Sequence, residues 1–445
     1  MKIIFCLHHF LPEFVAGTEV YTLRLAQSLK QNGYEVLVII PHFDHLQDRE
    51  YEFEGIRVIG YSEVSVSDRD MILGKRKPFG LTRFRQILVD EQPDIIHFHE
   101  LTAGRGINIF HVEVAHDLKI PIFLTCHLPT YTCHTGSLVY KDVYKCDGIL
   151  NLKKCTQCIY VSKNIIKTKS KILTQSALLL YNLNINTTIF NNSIGTALAF
   201  PYIINKKRED LLKLGRLTSK IIVLTEWYKN ILEKNGISSQ KLAYIKQGLT
   251  NETKSILDKQ STIYPLKIVF LGRISKLKGL DIIIDAICKL PVEKISLNIY
   301  GQETEKEYAL ACKKKSADNK NISWMGLLSA NEVVTTLSKY DVLCLPSTFS
   351  EMSPLVIQEA FAAGIPVIAS DVYGNAEQIV DGVNGWLFRF KDTKHLIEKL
   401  ELLINDLTHI DKAKQHLPKS DSFKDIAIKH LELYNEIIHN INISS

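Results

Sequence analysis

No run of roughly 18 apolar residues occurs in this chain, so no membrane-spanning helix is expected. The apolar start, residues 1–7, is too short for the core of a secretory signal. It gives way at once to His8 and His9 and reads as a first buried strand. No Gly-x-Gly-x-x-Gly follows a strand-like stretch, which argues against nicotinamide-dinucleotide binding. Charge of one sign is not in large excess: 54 Lys and Arg stand against 48 Asp and Glu, for a net charge of +6. That is too mild to argue for nucleic acid, though it suits anionic nucleotides or an anionic membrane surface. Without a secretory signal, the nine cysteines read as thiols rather than a disulfide framework. The expected location is therefore cytoplasmic, including the inner face of the cell membrane. A chain of 445 residues, 46% hydrophobic and 23% charged, is long enough for two or three ordinary globular domains.

What is present is organised around residues 341–388. An apolar strand at 341–345 leads into a small, polar loop at 346–353. Ser353 is a good N-cap, and Pro354 suits the first helical position, where its missing N–H is not needed. The helix continues through Phe361, ends at Gly364 and cannot pass Pro366. A second buried strand follows at 367–369. A helix N-terminus at the end of a parallel strand favours an anion, most often phosphate. Leu355 and Val356 are the expected amide donors, with Met352 and Ser353 in the loop before them. Glu351 and Glu359 flank the position. A carboxylate beside an anion site is unfavourable unless it accepts hydrogen bonds, for instance from sugar hydroxyls. A second loop, Gly272-Arg273 to Lys278-Gly279, joins the strand at 266–271 to a helix and delivers two cations suited to a diphosphate.

The first half opens with a βαβ unit: strand 2–7, loop 8–18, helix 19–30 and strand 35–40. Residues 51–61 read as a surface hairpin and 79–91 as an amphipathic helix. Strand 93–100 carries His97 and His99 on one face, where packed or hydrogen-bonded histidines are more usual than metal ligands. The strand at 120–125 ends at Cys126-His127. Cys133, Cys146, Cys155 and Cys158 follow, spaced C-x12-C-x8-C-x2-C. That set suits a tetrahedral structural zinc; disulfides, free thiols and an iron–sulfur cluster are the alternatives. Residues 160–203 mix scattered lysines with apolar helical stretches that could pack, cover an acceptor site or touch a membrane surface. A helix is expected at 208–217, a linker at 251–264 and a C-terminal amphipathic helix at 423–441.

The central stretch closely resembles the signature of the retaining glycosyltransferases of family 4. It matches at Pro346, Ser347, Glu351, Pro354, Leu355, Glu359, Ala360, Ala363, Gly364 and 366–370, then at Gly374, Glu377, Ile379, Gly382, Asn384, Gly385 and Leu387. Residues 272–279 resemble the family's G-R-x(3–4)-K-G loop, and residues 16–19 its G-G-x-E loop. Departures are Ala16, Leu128, Gln247, Glu303 and Asn375. The resemblance implies an α/β GT-B fold of two Rossmann-like, doubly wound parallel-sheet domains facing across a cleft. Residues 1–255 would form the acceptor-side domain, with a cysteine-rich insertion at about 130–160 of a kind some members carry. Residues 256–422 would bind the nucleotide sugar, and 423–445 would form a helix packing back on the first domain.

It further implies hexosyl-type transfer from a nucleotide-diphosphate sugar, by front-face attack and without a catalytic metal. The acceptor would be a glycan or lipid-linked saccharide of cell-surface polysaccharide or lipopolysaccharide, reached by peripheral contact with an anionic membrane. No nucleic acid is expected. By the same resemblance, Gly17 and Glu19 lie by the donor phosphate and acceptor, and His127 points at the donor sugar. Gly272, Arg273 and Lys278 would take the diphosphate, Glu351 would orient the sugar and Glu359 would hold the ribose. Two other readings are a nucleotide-sugar epimerase on the same fold and a zinc-containing nucleic-acid-binding module. For the latter, the segment lacks the helix and base-reading residues such a module needs.

Overall fold

Near-continuous runs of Ile, Val, Leu and Phe, the pattern of strands buried on both faces, form two parallel sheets in the computed structural model. The structure describes residues 1–65, 69–102, 104, 106–249 and 261–444. The chain divides into two units, Met1–Thr250 with Phe423–Ser445, and Asn251–Ser422. The expected boundary at 255/256, and most of the linker placed at 251–264, fall outside the described residues. Among the described residues no helix is long and apolar enough to cross a membrane.

The first unit contains β1 (Lys2–Cys6), β2 (Glu35–Phe43), β3 (Arg49–Phe53), β4 (Ile56–Glu63), β5 (Ile95–His99), β6 (Ile122–Cys126), the short β7 (Val139–Tyr140) and β8 (Tyr144–Lys145), β9 (Lys220–Val223) and β10 (Leu242–Tyr244). Its main sheet runs β10-β9-β6-β5-β1-β2-β4-β3, with β3 antiparallel to β4. The surface hairpin expected at 51–61 is thus corrected. Its turn, Glu54-Gly55, is real and both residues have positive φ. Yet β4 pairs in parallel with β2 from Arg57 to Glu63 and is mostly buried, so of the two hairpin strands β3 alone lies at the sheet edge. The helix expected at 208–217 is the end of a longer one, Phe200–Leu217, with Pro201 near its start, where the missing N–H is harmless.

Helix Phe423–Ser444 belongs to this unit. Phe423, Ile426, Ala427 and Tyr434 recur at helical spacing, so they lie on one face. They share a buried cluster with Phe5, Tyr21 and Leu25.

The second unit holds β11 (Leu266–Leu271), β12 (Ile295–Tyr300), β13 (Ile322–Gly326), β14 (Val342–Leu345), β15 (Val367–Ser370) and β16 (Gly385–Phe388). They run β13-β12-β11-β14-β15-β16, all parallel. Strand order therefore reverses between β11 and β14. In the first unit it reverses between β1 and β5. Connections leaving two such neighbours diverge to opposite faces of the sheet, which opens a crevice beyond their carboxyl ends. The loops expected to carry chemistry leave those ends.

Candidate active site

In the second unit the loops after β11 and β14 touch. Gly279 has φ +65, and a methyl group there would collide with the carbonyl oxygen of Pro346. A larger residue would push the two loops apart. Thr348 closes the seam: its N–H donates to the Leu277 carbonyl (2.8 Å) and its hydroxyl to that of Lys276 (2.8 Å). Across it the Lys278 ammonium reaches Glu351 Oε1 at 2.6 Å, and the Ser347 hydroxyl donates to the same oxygen at 2.7 Å. Lys278 also lies 5.4 Å from the centre of the Phe349 ring. Lys278 was expected to face a diphosphate. In this structure its ammonium is ion-paired with Glu351. Arg273 is exposed, with no hydrogen bond or ion pair among the described residues.

Helix Leu355–Ala362 begins one residue later than expected, with Pro354 at the cap position (ψ 116°) and no side chain capping it. Ser353 is thus one residue too early to be the cap. The Ile357 N–H bonds to the Pro354 carbonyl at 3.2 Å, which leaves the Leu355 and Val356 N–H groups outside the helical ladder. Those are the two donors named from the sequence. Glu359 is half-buried, and desolvation raises its carboxyl to about 7. Behind the loop, Gly374 packs so closely that a methyl group would collide with the carbonyl oxygens of Glu351 and Met352. Asn375, a departure from the family pattern, is buried and donates to the Ser370 carbonyl at 3.0 Å. The Ser370 hydroxyl in turn holds the Ser347 carbonyl at 2.7 Å. A methyl group at Gly272 would stand in ordinary contact with the Phe270 ring (3.8 Å) and the Lys278 side chain (3.9 Å).

In the first unit, Gly17 opens helix Gly17–Gln31, with Ala16 in extended conformation at the cap. Glu19, in the first turn, is buried; Oε2 has no hydrogen-bond partner among the described residues, and burial raises its pKa. His127, just past β6, is buried and held on several sides. Its backbone N–H donates to Glu100 Oε2 (2.8 Å) and its ring Nε2 lies 3.2 Å from His99 Nδ1. The Tyr21 ring stands 5.0 Å away. Burial pushes the imidazole down to about 3, so it is neutral at pH 7. His97 is not a metal ligand here: it bonds the Tyr434 hydroxyl (2.6 Å) and the Thr125 hydroxyl (2.7 Å).

Residues 254–418 match the family model described as glycosyl transferases group 1, and residues 15–168 the model described as glycosyltransferase family 4. Both units carry glycosyltransferase domains, and the fold is GT-B. An uncharacterized 41.2 kDa protein in the cps region of Klebsiella pneumoniae is 29% identical over 36% of this chain and 41% of its own length. The amylovoran biosynthesis glycosyltransferase AmsK of Erwinia amylovora is 24% identical over 45% and 50%. The chain thus spans about half the length of these relatives or less. The crystal structure of Anabaena Alr3699/HepE in complex with UDP and glucose superposes with a TM-score of 0.62, at 15% identity, covering 97% of this chain and 99% of that one.

Within this GT-B glycosyltransferase fold Cys133, Cys146, Cys155 and Cys158, the set expected to hold zinc, are free thiols close enough together to act on one another's ionisation. Among the described residues no three His, Cys, Asp or Glu are placed to hold a metal ion. The sulfurs also have local partners. The Lys141 N–H points at Cys158 Sγ (3.3 Å), the Asn151 N–H at Cys155 Sγ (3.4 Å), and Cys133 Sγ lies 3.2 Å from the Thr135 hydroxyl. Cys146 is likewise a free thiol. Sequence reasoning missed Glu100. Its carboxylate accepts from the N–H groups of His127 and Leu128 and from the Thr130 hydroxyl (2.6 Å), fixing the loop that carries His127. Its position directly after His97-x-His99 was the available signal.

Proposed function

We propose that this chain is a retaining glycosyltransferase that moves a hexosyl group from a nucleotide-diphosphate sugar to a glycan or lipid-linked saccharide acceptor. The observation that carries the reading is the Lys278–Glu351 contact, which joins the loop after β11 to the loop after β14 where strand order reverses. A diphosphate entering there would meet the exposed Arg273, the Lys278 ammonium and the amides of Leu355 and Val356. All of these stabilise the negative charge that develops as the anomeric C–O bond breaks. Glu359 would accept from the ribose hydroxyls. Glu351, with Oε2 outside the Lys278 contact, would accept from the sugar. Gly17, Glu19 and the neutral His127 belong to the acceptor-side unit. The acceptor hydroxyl attacks the face from which the nucleoside diphosphate leaves, so configuration is retained, and its proton passes to the departing phosphate oxygen. The UDP and glucose in the Anabaena structure, and the part of the Erwinia protein in amylovoran biosynthesis, support this choice of substrate classes.

The test is donor profiling with released nucleoside diphosphate as the readout, followed by Arg273→Ala combined with Lys278→Ala. Removing preorganised charge from the leaving group should lower kcat by roughly 100-fold or more. Transfer at the unsubstituted rate would overturn the proposal.

A further inference from the structure

Strands β5 and β6 run side by side in parallel, with His99 opposite Thr125. The first residues past β6 therefore stand beside the end of β5. His97 and His99 project from the same face of β5, since side chains alternate along a strand. His97 is fully engaged, with a hydroxyl at each ring nitrogen. His99 is not. Its Nδ1 lies 3.2 Å from His127 Nε2, while its own Nε2 is sealed from solvent with no hydrogen-bond partner among the described residues. The Phe5 ring stands edge-on at 4.8 Å and the His97 ring lies at 4.2 Å. The His99 and His127 ring centres are 5.5 Å apart, which matches the nitrogen separation plus two ring radii, so the two nitrogens meet almost end-on. That is the geometry of an N–H···N hydrogen bond rather than of stacked rings.

Burial pushes both imidazoles down, so each carries a single ring proton at pH 7. A neutral imidazole has one N–H and one bare nitrogen, and the contact needs one of each. Two arrangements satisfy it. If His127 donates from Nε2, the His99 proton is driven to its own Nε2, an N–H sealed in the core with nothing to accept it. If His99 donates from Nδ1, only a bare lone pair is left there. Buried N–H groups without an acceptor are rarer in proteins than buried acceptors without a donor. The second arrangement puts the His127 proton on Nδ1. That nitrogen makes no hydrogen bond among the described residues, yet it is not sealed off. We infer that His99 is a positioning residue: its Nδ1–H fixes the tautomer of His127, which then offers an N–H donor to an oxygen of the bound sugar. Glu100 holds the backbone of His127, and His99 sets what its ring can do. In this form the open nitrogen of His127 cannot take a proton, in keeping with the acceptor proton passing to the departing phosphate oxygen. The inference rests on the role proposed for His127 and refines it from a neutral ring to a donor.

The experiment is long-range proton–nitrogen correlation NMR on the full chain with isotope-labelled histidine, near neutral pH, where the two neutral tautomers give different patterns. The His127 signals, assigned by their loss in His127→Gln, should show the proton on Nδ1. His99→Leu should let that proton redistribute between the two nitrogens. His99→Asn should keep it on Nδ1, because the asparagine amide presents an N–H close to where the Nδ1–H stood. In transfer assays His99→Leu should lower kcat by about tenfold, the worth of one well-placed hydrogen bond, and His99→Asn should restore most of it. Thermal unfolding of both variants reports separately on folding. A His127 proton on Nε2 in the unsubstituted chain, a tautomer that ignores His99→Leu, or an asparagine variant no better than leucine in either readout overturns the inference. The tautomer is read without substrate, so an absence of glycosyl transfer would count against the proposed reaction and leave this measurement standing.

Discussion

Glu359 offers a test that reads one side chain directly. Its carboxyl is half-buried and raised to about 7 by desolvation, from the ordinary 4.5. If it accepts hydrogen bonds from ribose hydroxyls, the donor must bind the ionised form. At pH 8 about nine in ten carboxyls are ionised, whereas at pH 6 about one in eleven is. The apparent affinity for the nucleotide sugar should therefore fall about tenfold from pH 8 to pH 6, or ~1.4 kcal/mol. Titration calorimetry in two buffers of different ionisation enthalpy would check this, because binding near pH 6 should release close to one proton. A nucleotide sugar is the right probe, since its diphosphate is a diester and does not titrate in this range. Glu359→Gln should flatten the pH dependence and, at pH 8, weaken binding by roughly tenfold as a charge-assisted hydrogen bond becomes a neutral one. Equal affinity at pH 6 and pH 8, or a slope that survives in the glutamine variant, would refute the role assigned to Glu359.

Two further outcomes follow from packing. Glu100→Ala should cost about 2 kcal/mol in chemical denaturation, because it strips the acceptor from the His127 and Leu128 amides. The Glu100 carboxyl is raised from 4.5 to about 7 by burial, so the native state binds more protons than the unfolded chain between those values. Stability should then decline as pH rises through that window, by about 3 kcal/mol in all, and Glu100→Gln should remove the decline. Gly374→Ala should cost about 1–3 kcal/mol, because its methyl group meets the Glu351 and Met352 carbonyls. It should also weaken donor binding by displacing Glu351, as seen by calorimetry.

The strand, loop and helix order around residues 341–388 was readable because each step is local: an apolar run, a proline, a helical period, a glycine stop. What escaped reading depends on partners distant in sequence. Lys278 and Glu351 lie 73 positions apart, and only the reversal of strand order at β11 and β14 brings them together. Tyr434 sits 337 residues from the His97 it holds. The hairpin at 51–61 was misjudged for a related reason. The turn at Glu54-Gly55 fixes how β3 and β4 pair but says nothing about β2 on the far side of β4. The cysteine spacing was legible as a pattern, but whether the sulfurs converge depends on how hairpin and helix pack.

The core of the first unit includes residues 423, 426, 427 and 434, and Asn251–Ser422 intervene before them. A ribosome therefore cannot release a finished first lobe ahead of the second. Until helix Phe423–Ser444 emerges, the hydrophobic bed against Tyr21 and Leu25 stays uncovered, and His97 waits for its phenol. The nascent chain carries that vulnerable surface through the whole synthesis of its other half. Chaperone dependence and losses on slow translation should concentrate there.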